Sequence, residues 1–378
     1  MDGSIYLDNA ATTRLHPAVR DAMEPFFGDV FGNPSSLHRA GRAARRAVEQ
    51  ARSDVADALG AEPDEIVFTG GGTEANVLAL MGIWRRAEKP GFVTSAIEHH
   101  AVLNAVSLIE EYGCDPRLAA PGEDGVLTVD RVLAQVDDRT GLASVMWVNN
   151  ETGAIQPIVE LAQELSERGI LLHTDAVQAI GELAIDLRRV PVAALTVSAH
   201  KIHGPKGVGV LFLRRGTPFS PLVQGGGQER NRRGGTENVA AIAGCAKAVI
   251  LAAKQREERV SALGGLRVRF CQVLSRELDG VRFHAETNAV SHIVNVAFEG
   301  VLAETLLIDL DLQGIAASSG SACTSGSRQV SHVLTAMGIS EAEARSSVRF
   351  SFAVDNTLSQ VEDAARIVAD SVKRLRRL

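Results

Sequence analysis

The chain has 378 residues, of which 45% are hydrophobic and 22% are charged, and its formal net charge is −7. This composition supports a sizeable core and argues against intrinsic disorder. The negative charge argues against a general nucleic-acid or membrane-surface binder, so we expect neither kind of partner. The four cysteines are scattered, without a Cys-x-x-Cys pair, and the amino terminus does not resemble a secretory signal. We therefore expect a reduced, cytoplasmic protein.

Short apolar strands alternate with amphipathic helices through the first two thirds of the chain. Apolar residues recur at helical spacing over residues 44–59, and Gly60 closes that segment. Further helices are predicted at residues 73–86 and 101–112, and strands at 65–68, 91–95, 142–148, 170–174, 195–198 and 208–213. This alternation predicts a mainly parallel α/β sheet with helices on both faces.

The last third of the chain has a different pattern. Helices dominate residues 239–278, and the remaining elements are strands at 292–298 and 347–353 and helices at 304–312 and 358–375. We predict a large domain over residues 17–255. A smaller α+β domain would join residues 1–16 to residues 256–378.

Lys201 lies between two predicted core strands, in the sequence Ser198-Ala199-His200-Lys201. Burial disfavours the charged form of a lysine, which makes its amine a better nucleophile toward an aldehyde. Ser198 and His200 are suited to hold a phosphate, so the segment suggests a Schiff-base lysine for pyridoxal phosphate. A solvated lysine on a turn is the alternative, and this segment alone does not decide between them.

A glycine-rich turn, Gly70-Gly71-Gly72 followed by Thr73, joins a predicted strand to a helix. Glycines let the backbone approach an anion closely, and the N–H groups at the helix start then point toward it. The turn lacks the Gly-Lys-Ser/Thr of a P-loop. The alternatives are a phosphate site and an ordinary capped helix.

Other candidate ligands follow predicted strands. Asp175 and Gln178 lie at a carboxyl edge, where open α/β sheets bind ligands. A carboxylate there can keep a pyridine nitrogen protonated, and Gln178 can reach the ring's phenolic oxygen. His99 can stack on a flat ring and exchange protons. The alternatives are a helix cap for Asp175 and a loop histidine for His99.

Cys323 lies in a small, polar stretch, residues 318–327, unlike the apolar surroundings of most structural cysteines. A thiol on such a segment suits the delivery of an atom taken from a substrate. Arg349 lies on a late strand, where its rigid fork could clamp a carboxylate. An accidental loop cysteine and a surface ion pair are the alternatives. His200 and His203 lack neighbours that complete a metal-ligand set, so no metal is expected.

The order and the amino-acid sequences of these segments resemble those of the cysteine desulfurases, within the class V (fold type I) pyridoxal-phosphate enzymes. The matching stretches cover nearly the whole chain and are residues 6–13, 32–36, 69–76, 98–103, 148–153, 173–178, 198–207, 233–238, 318–325 and Arg349. The long cysteine segment and Lys206 resemble the nitrogenase and iron–sulfur-assembly group. The resemblance implies a mainly parallel sheet of seven-stranded type, sandwiched by helices, and a smaller domain that carries the cysteine.

The resemblance also implies a role for each matching residue. Lys201 would bind the cofactor covalently and remove the α-proton of L-cysteine, and His99 would exchange a proton. Cys323 would attack the substrate sulfur, leaving a persulfide and L-alanine. The residues that would hold the cofactor are Gly72, Thr73, His99, Asn150, Asp175, Gln178, Ser198, His200, Lys201 and Thr236. Asn150 and Arg349 would bind the substrate carboxylate.

Partners follow from the same resemblance. Thr236 would reach the phosphate of a neighbouring subunit, which implies a homodimer with shared sites. The persulfide would pass to a sulfur-acceptor protein, either an iron–sulfur scaffold or another sulfur-relay protein. A selenocysteine lyase or a related class V aminotransferase is the alternative function, and Cys323 would then be dispensable. A catalytically silent scaffold would require the loss of Lys201 or Cys323, and both are present.

Overall fold

A computed structural model describes residues 4–320 and 330–377. The helices in these ranges are α1 (Pro17–Met23), α2 (Arg39–Leu59), α3 (Gly72–Trp84), α4 (His100–Glu111), α5 (Val129–Leu133), α6 (Ile158–Glu167), α7 (Val239–Lys254), α8 (Arg256–Glu277), α9 (Ala303–Leu312), α10 (His332–Ala336), α11 (Glu341–Arg345) and α12 (Leu358–Leu375). The strands are β1 (Ile5–Tyr6), β2 (Ile66–Thr69), β3 (Gly91–Ser95), β4 (Arg117–Ala119), β5 (Thr140–Ser144), β6 (Leu171–Asp175), β7 (Ala194–Ser198), β8 (Gly209–Leu213), β9 (Val281–His284), β10 (Ile293–Phe298), β11 (Ile315–Ala316) and β12 (Ser347–Ser351).

Seven strands form the main sheet, in the order β2-β8-β7-β6-β5-β3-β4. Strand β8 is antiparallel to both of its neighbours, and the other adjacent pairs are parallel. The prediction of a mainly parallel sheet is confirmed. Because β2 and β7 both run opposite to β8, their carboxyl ends lie at the same edge as those of β3, β5 and β6.

Helices cover both faces of this sheet. Because successive side chains of a strand point in opposite directions, each strand contributes to two cores. Ile66 and Phe68 belong to a core that includes α2 and α7, whereas Val67 belongs to another core with α3 and α4. Helix α2 buries the residues that the sequence placed at helical spacing, from Ala44 to Leu59. Gly60 ends the helix in the left-handed conformation, with φ 67°, which favours glycine.

Strand β5 is shorter than the prediction of residues 142–148, since its strand pairing ends at Ser144. The chain nevertheless continues beside β6, where Val145 N donates to His173 O at 3.2 Å and Trp147 N donates to Asp175 O at 2.9 Å. This path carries the backbone onward to Asn150 at the carboxyl edge of the sheet.

The smaller unit is built on the antiparallel sheet β12-β10-β9. Phe270 of α8 lies between Phe350 and Phe352, with ring centroids 4.8 and 5.5 Å away. Strand β1 pairs in parallel with β11, and Leu7 belongs to this same core. The domain limits at residues 17 and 255 stay a prediction. Within the described ranges, no helix has the length and apolar character needed to cross a membrane.

Candidate active site

A cavity of about 370 Å³ lies where the strands of the main sheet end. Its wall includes residues that follow β2, β3, β5, β6 and β7, as expected for a ligand site at the carboxyl edge of parallel strands. Ten of the residues named from the sequence line it: Gly72, Thr73, His99, Asn150, Asp175, Gln178, Ser198, His200, Lys201 and Arg349. Seven further residues complete the lining: Ala10, Ala11, Asn76, Met146, Val148, Val177 and Gly320.

Lys201 ends a short turn that follows β7. Its Nζ donates to the backbone oxygens of Ala10 and Ala11, at 2.6 and 2.8 Å. These two carbonyls lie near the amino terminus, about 190 residues before Lys201 in the sequence. A backbone acceptor cannot be predicted from a pattern of side chains. The lysine is therefore held at the cavity, and the alternative of a solvated turn lysine does not describe its position.

Asp175 ends β6 and is buried. Its Oδ2 accepts from Asn76 Nδ2 at 2.7 Å, and its Oδ1 accepts from Val177 N at 2.9 Å. The second bond is the kind of local contact that a capping residue makes. The carboxylate therefore stabilises the local turn and also lines the cavity. Asn76 lies within a stretch matched by sequence, but no role was inferred for it.

The start of α3 forms a cradle beside Ser198. Gly71 has φ 151°, a conformation that glycine adopts readily and other residues rarely do. A Cβ on Gly72 would lie only 3.2 Å from Ser198 Cβ and from Val177 Cγ2, so the helix start packs closely on the end of β7. The N–H groups in the first turn of an α-helix have no partner within the helix and can bind an anion.

His200 lies beside the cradle, where its Nδ1 is 3.1 Å from Thr12 Oγ1. Burial, together with the charges of Lys201 and Lys206, lowers the pKa of His200 to about 4. The ring is thus neutral near pH 7. A second cavity, of about 720 Å³, shares Gly72, Thr73, Ser198 and His200 with the first, so the cradle is open on two sides.

His99 precedes α4, and its Nδ1 accepts from Ala101 N at 3.0 Å. In the neutral ring the proton then resides on Nε2. Burial lowers the pKa of His99; the Asp175 carboxylate opposes this shift, and Lys201 reinforces it. The imidazole is therefore a neutral, half-buried ring on the cavity wall.

Glu98 lies directly behind this wall and is fully buried. Its Oε1 accepts from Ser95 Oγ at 2.6 Å and from Met146 N at 2.8 Å. Burial raises the pKa of Glu98 to about 8, although these two hydrogen bonds act in the opposite direction. A buried carboxyl group that is largely uncharged near pH 7 thus supports the loop that carries His99. The sequence showed the residue but not this role.

Arg349 lies on β12 and is only 2% exposed. One terminal nitrogen donates to Asp8 Oδ1 at 2.9 Å, and the other donates to Asn150 O at 2.7 Å. Its Nε is buried without a hydrogen-bond partner among the described residues. Arg349 does form an ion pair, with Asp8, but the arginine is buried and lines the cavity. The alternative of a surface ion pair is therefore wrong about its location.

The segment that carries Cys323 has both of its flanks at one buried carboxylate. Ser331 Oγ donates to Glu151 Oε2 at 2.6 Å. A Cβ on Gly320 would lie 2.9 Å from the same oxygen. Cys323 itself lies outside the described residues. Thr236 is described, but it is exposed and is not among the residues that line either cavity.

These residues fit pyridoxal phosphate, on the chemistry of the groups that the cavity brings together. A lysine amine can take an aldehyde, a helix start with two hydroxyls can take a phosphate, and a buried carboxylate can pair with a protonated ring nitrogen. His99 supplies a flat neutral ring.

Comparison with known proteins agrees with this chemistry. The family model described as "Aminotransferase class-V" matches residues 5–363. The chain belongs to the class V aminotransferase family. A cysteine desulfurase of Bradyrhizobium diazoefficiens is 45% identical to this class V enzyme, over 98% of this chain and 95% of that protein.

Two solved structures extend the comparison. A NifS-like protein superposes on this class V enzyme with a TM-score of 0.92 at 33% identity, covering 98% of this chain and all of the other. SspA, determined in complex with cysteine, superposes with a TM-score of 0.82 at 36% identity, covering 92% of this chain and 98% of the other. The class V enzyme is thus a cysteine desulfurase that uses pyridoxal phosphate.

Proposed function

We propose that this desulfurase converts L-cysteine to L-alanine and leaves the sulfur as a persulfide on Cys323. The observation that carries the proposal is the single cavity that brings together Lys201, Asp175 and His99 with the buried Arg349. SspA, a relative at 36% identity, was determined with bound cysteine, which supports this substrate.

The cavity residues divide into four groups for binding the cofactor. Lys201 holds the aldehyde end, and Asp175 and Gln178 hold the ring nitrogen and the ring hydroxyl. His99 and Asn150 contact the ring, and the phosphate is held by Gly72, Thr73, Ser198 and His200. Bound pyridoxal phosphate supplies an electron sink that stabilises negative charge on the substrate α-carbon.

Arg349 and Asn150 bind the substrate carboxylate in this proposal. Arginine presents several N–H donors in a rigid plane, and the buried Nε is available for a further acceptor. Asp8 and the backbone oxygen of Asn150 hold the guanidinium in place on the cavity wall. A carboxylate anchored there brings the α-carbon of the same molecule toward Lys201.

Lys201 Nζ takes the α-proton, and His99 Nε2 is the second group that can exchange a proton at the cavity. His99 Nδ1 accepts from Ala101 N, so the proton of the neutral ring lies on Nε2, on the cavity wall. General acid–base groups of this kind contribute about 10²- to 10⁴-fold in rate.

The sulfur transfer itself belongs to Cys323. Its thiolate bonds to the substrate sulfur, the bond between that sulfur and Cβ breaks, and the bonding pair stays on carbon, which then takes a proton. L-Cysteine and a thiol thus give L-alanine and a persulfide. The other cysteines are poorly suited, since burial raises the pKa of Cys245 to about 12, that of Cys271 to about 11, and that of Cys114 as well.

Replacement of the thiol tests this assignment. We expect Cys323→Ala to lose sulfide release while it keeps the visible absorption of the bound cofactor, because no cofactor-binding group is changed. Cys271→Ala is the matched control and should keep its activity. Alkylation followed by mass spectrometry should find the persulfide at Cys323 in the wild type. Full activity of Cys323→Ala would contradict the proposal.

We also propose a homodimer in which Thr236 reaches the phosphate site of the partner. The exposed position of Thr236 supports this, since it lies away from the cavities of its own chain. Three exposed apolar side chains, Phe27, Phe31 and Leu37, are 67%, 79% and 86% exposed and offer a surface for association. Sedimentation analysis should find twice the chain mass, and Thr236→Ala should weaken cofactor binding.

The destination of the sulfur follows from the persulfide chemistry. We infer that a sulfur-acceptor protein, an iron–sulfur scaffold or another sulfur-relay protein, takes the persulfide sulfur in the cytoplasm. Capture of a mixed persulfide adduct from cells, followed by identification of the partner, would test this inference.

A further inference from the structure

A chain of buried polar groups leads from the cavity into the smaller unit, and it begins at Gln178. The Nε2 of this side chain donates to Ala10 O at 3.0 Å. Its Oε1 faces His292 Nε2 at 3.2 Å. Because a backbone carbonyl can only accept, the NH₂ group of Gln178 must face Ala10, and its oxygen must face His292. The His292 nitrogen is therefore the donor in this contact.

The other side of the His292 ring faces a carboxylate. Its Nδ1 lies 3.2 Å from Glu182 Oε1, and Arg259 Nε lies 3.4 Å from the same oxygen. Glu182 Oε2 accepts from both N and Oγ of Ser291, at 3.1 and 2.6 Å. Burial alone would raise the pKa of Glu182, but His292 and Arg259 outweigh it and lower the pKa to about 2. The carboxylate is thus charged and held from four sides.

This polar chain joins parts of the sequence that are far apart. Gln178 and Glu182 follow β6 of the main sheet, whereas His292 precedes β10 and Arg259 lies in α8. All four are buried. Ala10 O, at one end of this chain of polar groups, also accepts from Lys201 Nζ. A side chain that lines the cofactor cavity is therefore oriented from the small unit.

We propose that His292, whose ring packs beside Glu182, is a positioning residue that fixes the orientation of the Gln178 amide. The amide nitrogen carries two hydrogens, and Ala10 O takes one of them, so the second is left to present to the cofactor's ring hydroxyl. This inference rests on the role proposed above for Gln178. Without the His292 donor, Gln178 Oε1 becomes a buried acceptor that lacks this partner, and the amide keeps only its hydrogen bond to Ala10 O.

Two readouts test the proposal apart from turnover: the Kd for pyridoxal phosphate added to the cofactor-free full chain, and the visible absorption of the holoenzyme across pH. We expect His292→Leu to weaken binding by about tenfold, the effect of one lost hydrogen bond of ordinary strength. The visible absorption should also change its dependence on pH. His292→Gln keeps an amide donor and should recover most of the affinity.

His284→Leu is the matched control. His284 is also a buried histidine of the small sheet, and its Nε2 lies 3.3 Å from Ser347 Oγ, with no contact to Gln178. We expect this variant to lose stability but to keep the wild-type Kd and absorption. If both variants weaken cofactor binding equally, the cause is a general loss of stability and the positioning role of His292 is wrong. If only His292→Leu weakens binding, the effect is specific to the cofactor site.

Gln178→Ala separates failure of this inference from failure of the proposed function. If Gln178→Ala changes Kd and absorption while a folded His292→Leu keeps both at wild-type values, the positioning role of His292 is wrong. If Gln178→Ala itself leaves both unchanged, the proposed contact between Gln178 and the cofactor is wrong, and the inference falls with it.

Discussion

The two walls of the cavity are built by different means. On the sheet side, Asp175 and Ser198 are the last residues of β6 and β7, and Lys201 follows three residues later. On the opposite side, Arg349 bonds to Asp8, which is 341 residues away in the chain. Neighbouring parallel strand ends thus place the first wall, whereas the guanidinium of the second wall is held by a contact between distant parts of the sequence. The sheet wall should tolerate distant changes better than the second wall.

The electrostatics of the two sides differ in the same way. Glu98, behind the sheet wall, and Glu182, in the polar chain to the small unit, are both buried carboxyl groups. Burial raises the pKa of Glu98 to about 8, but His292 and Arg259, which face Glu182, reverse that effect and lower the pKa of Glu182 to about 2. Burial therefore decides the charge of Glu98, whereas long-range partners decide that of Glu182.

The largest expected effect separates these two carboxyl groups. The pKa of Glu98 is raised on folding, so its stabilising contribution is complete below the unfolded value of 4.5 and is lost as pH rises to about 8. Relative to the wild type, Glu98→Gln should gain about 3 kcal/mol in unfolding free energy between about pH 5 and about pH 8. Urea denaturation across that range measures the difference.

Glu182→Gln provides the contrast to that measurement. Because the pKa of Glu182 is lowered on folding, its contribution is present above 4.5 and is lost only as pH falls toward about 2. Its difference from the wild type should therefore be a constant destabilisation between about pH 5 and about pH 8. If the unfolding free energies of both variants, relative to the wild type, changed in the same way with pH in that range, the two carboxyl groups would not differ in charge as described.

The next effect tests the second wall directly. We expect Arg349→Lys to reduce kcat/KM for L-cysteine by about 100-fold, mainly through KM, because an ammonium cannot reproduce the planar fork of donors. Arg282→Lys is the control, since Arg282 makes a largely exposed ion pair with Glu343 and should stay near the wild type. An unchanged KM in Arg349→Lys would show that this wall does not bind the substrate carboxylate.

The smallest effect concerns the anchor of the cysteine segment. Ser331→Ala removes the hydrogen bond to the buried Glu151, and we expect a loss of about 1–2 kcal/mol in unfolding free energy. Persulfide formation should also slow, while the cofactor absorption is kept, because Glu151 contacts the flanks rather than the cofactor residues. Ser261→Ala, at an exposed position of α8, should change neither quantity.

Much of the sheet wall could be predicted from short stretches of sequence. A strand followed by Asp175, or by Ser198 and Lys201, places those side chains at the ligand-binding edge of a parallel sheet wherever that sheet forms. The glycine turn before α3 is another local signal, since its backbone conformation depends on Gly71 itself. Cys323, Thr236 and the domain limits stay predictions, and the roles of the site residues await the variants described above.

The contacts of the second wall could not be predicted in this way. The acceptors for Lys201 are backbone oxygens of Ala10 and Ala11, and every residue type carries such an oxygen. His292 and Glu182 are separated by more than a hundred residues, and each has an ordinary surface interpretation when it is considered alone.

The sequence by itself determined the alternation of strands and helices, the mainly parallel sheet and the residues at its carboxyl edge, because apolar periodicity and glycine turns act over a few neighbouring residues. Only the tertiary structure decided that Asp8 would hold Arg349 and that His292 would face Gln178. The first pairing joins the two ends of the sequence within the small unit, and the second depends on how that unit packs against the main sheet. No local pattern encodes the distance between side chains that lie so far apart in the sequence.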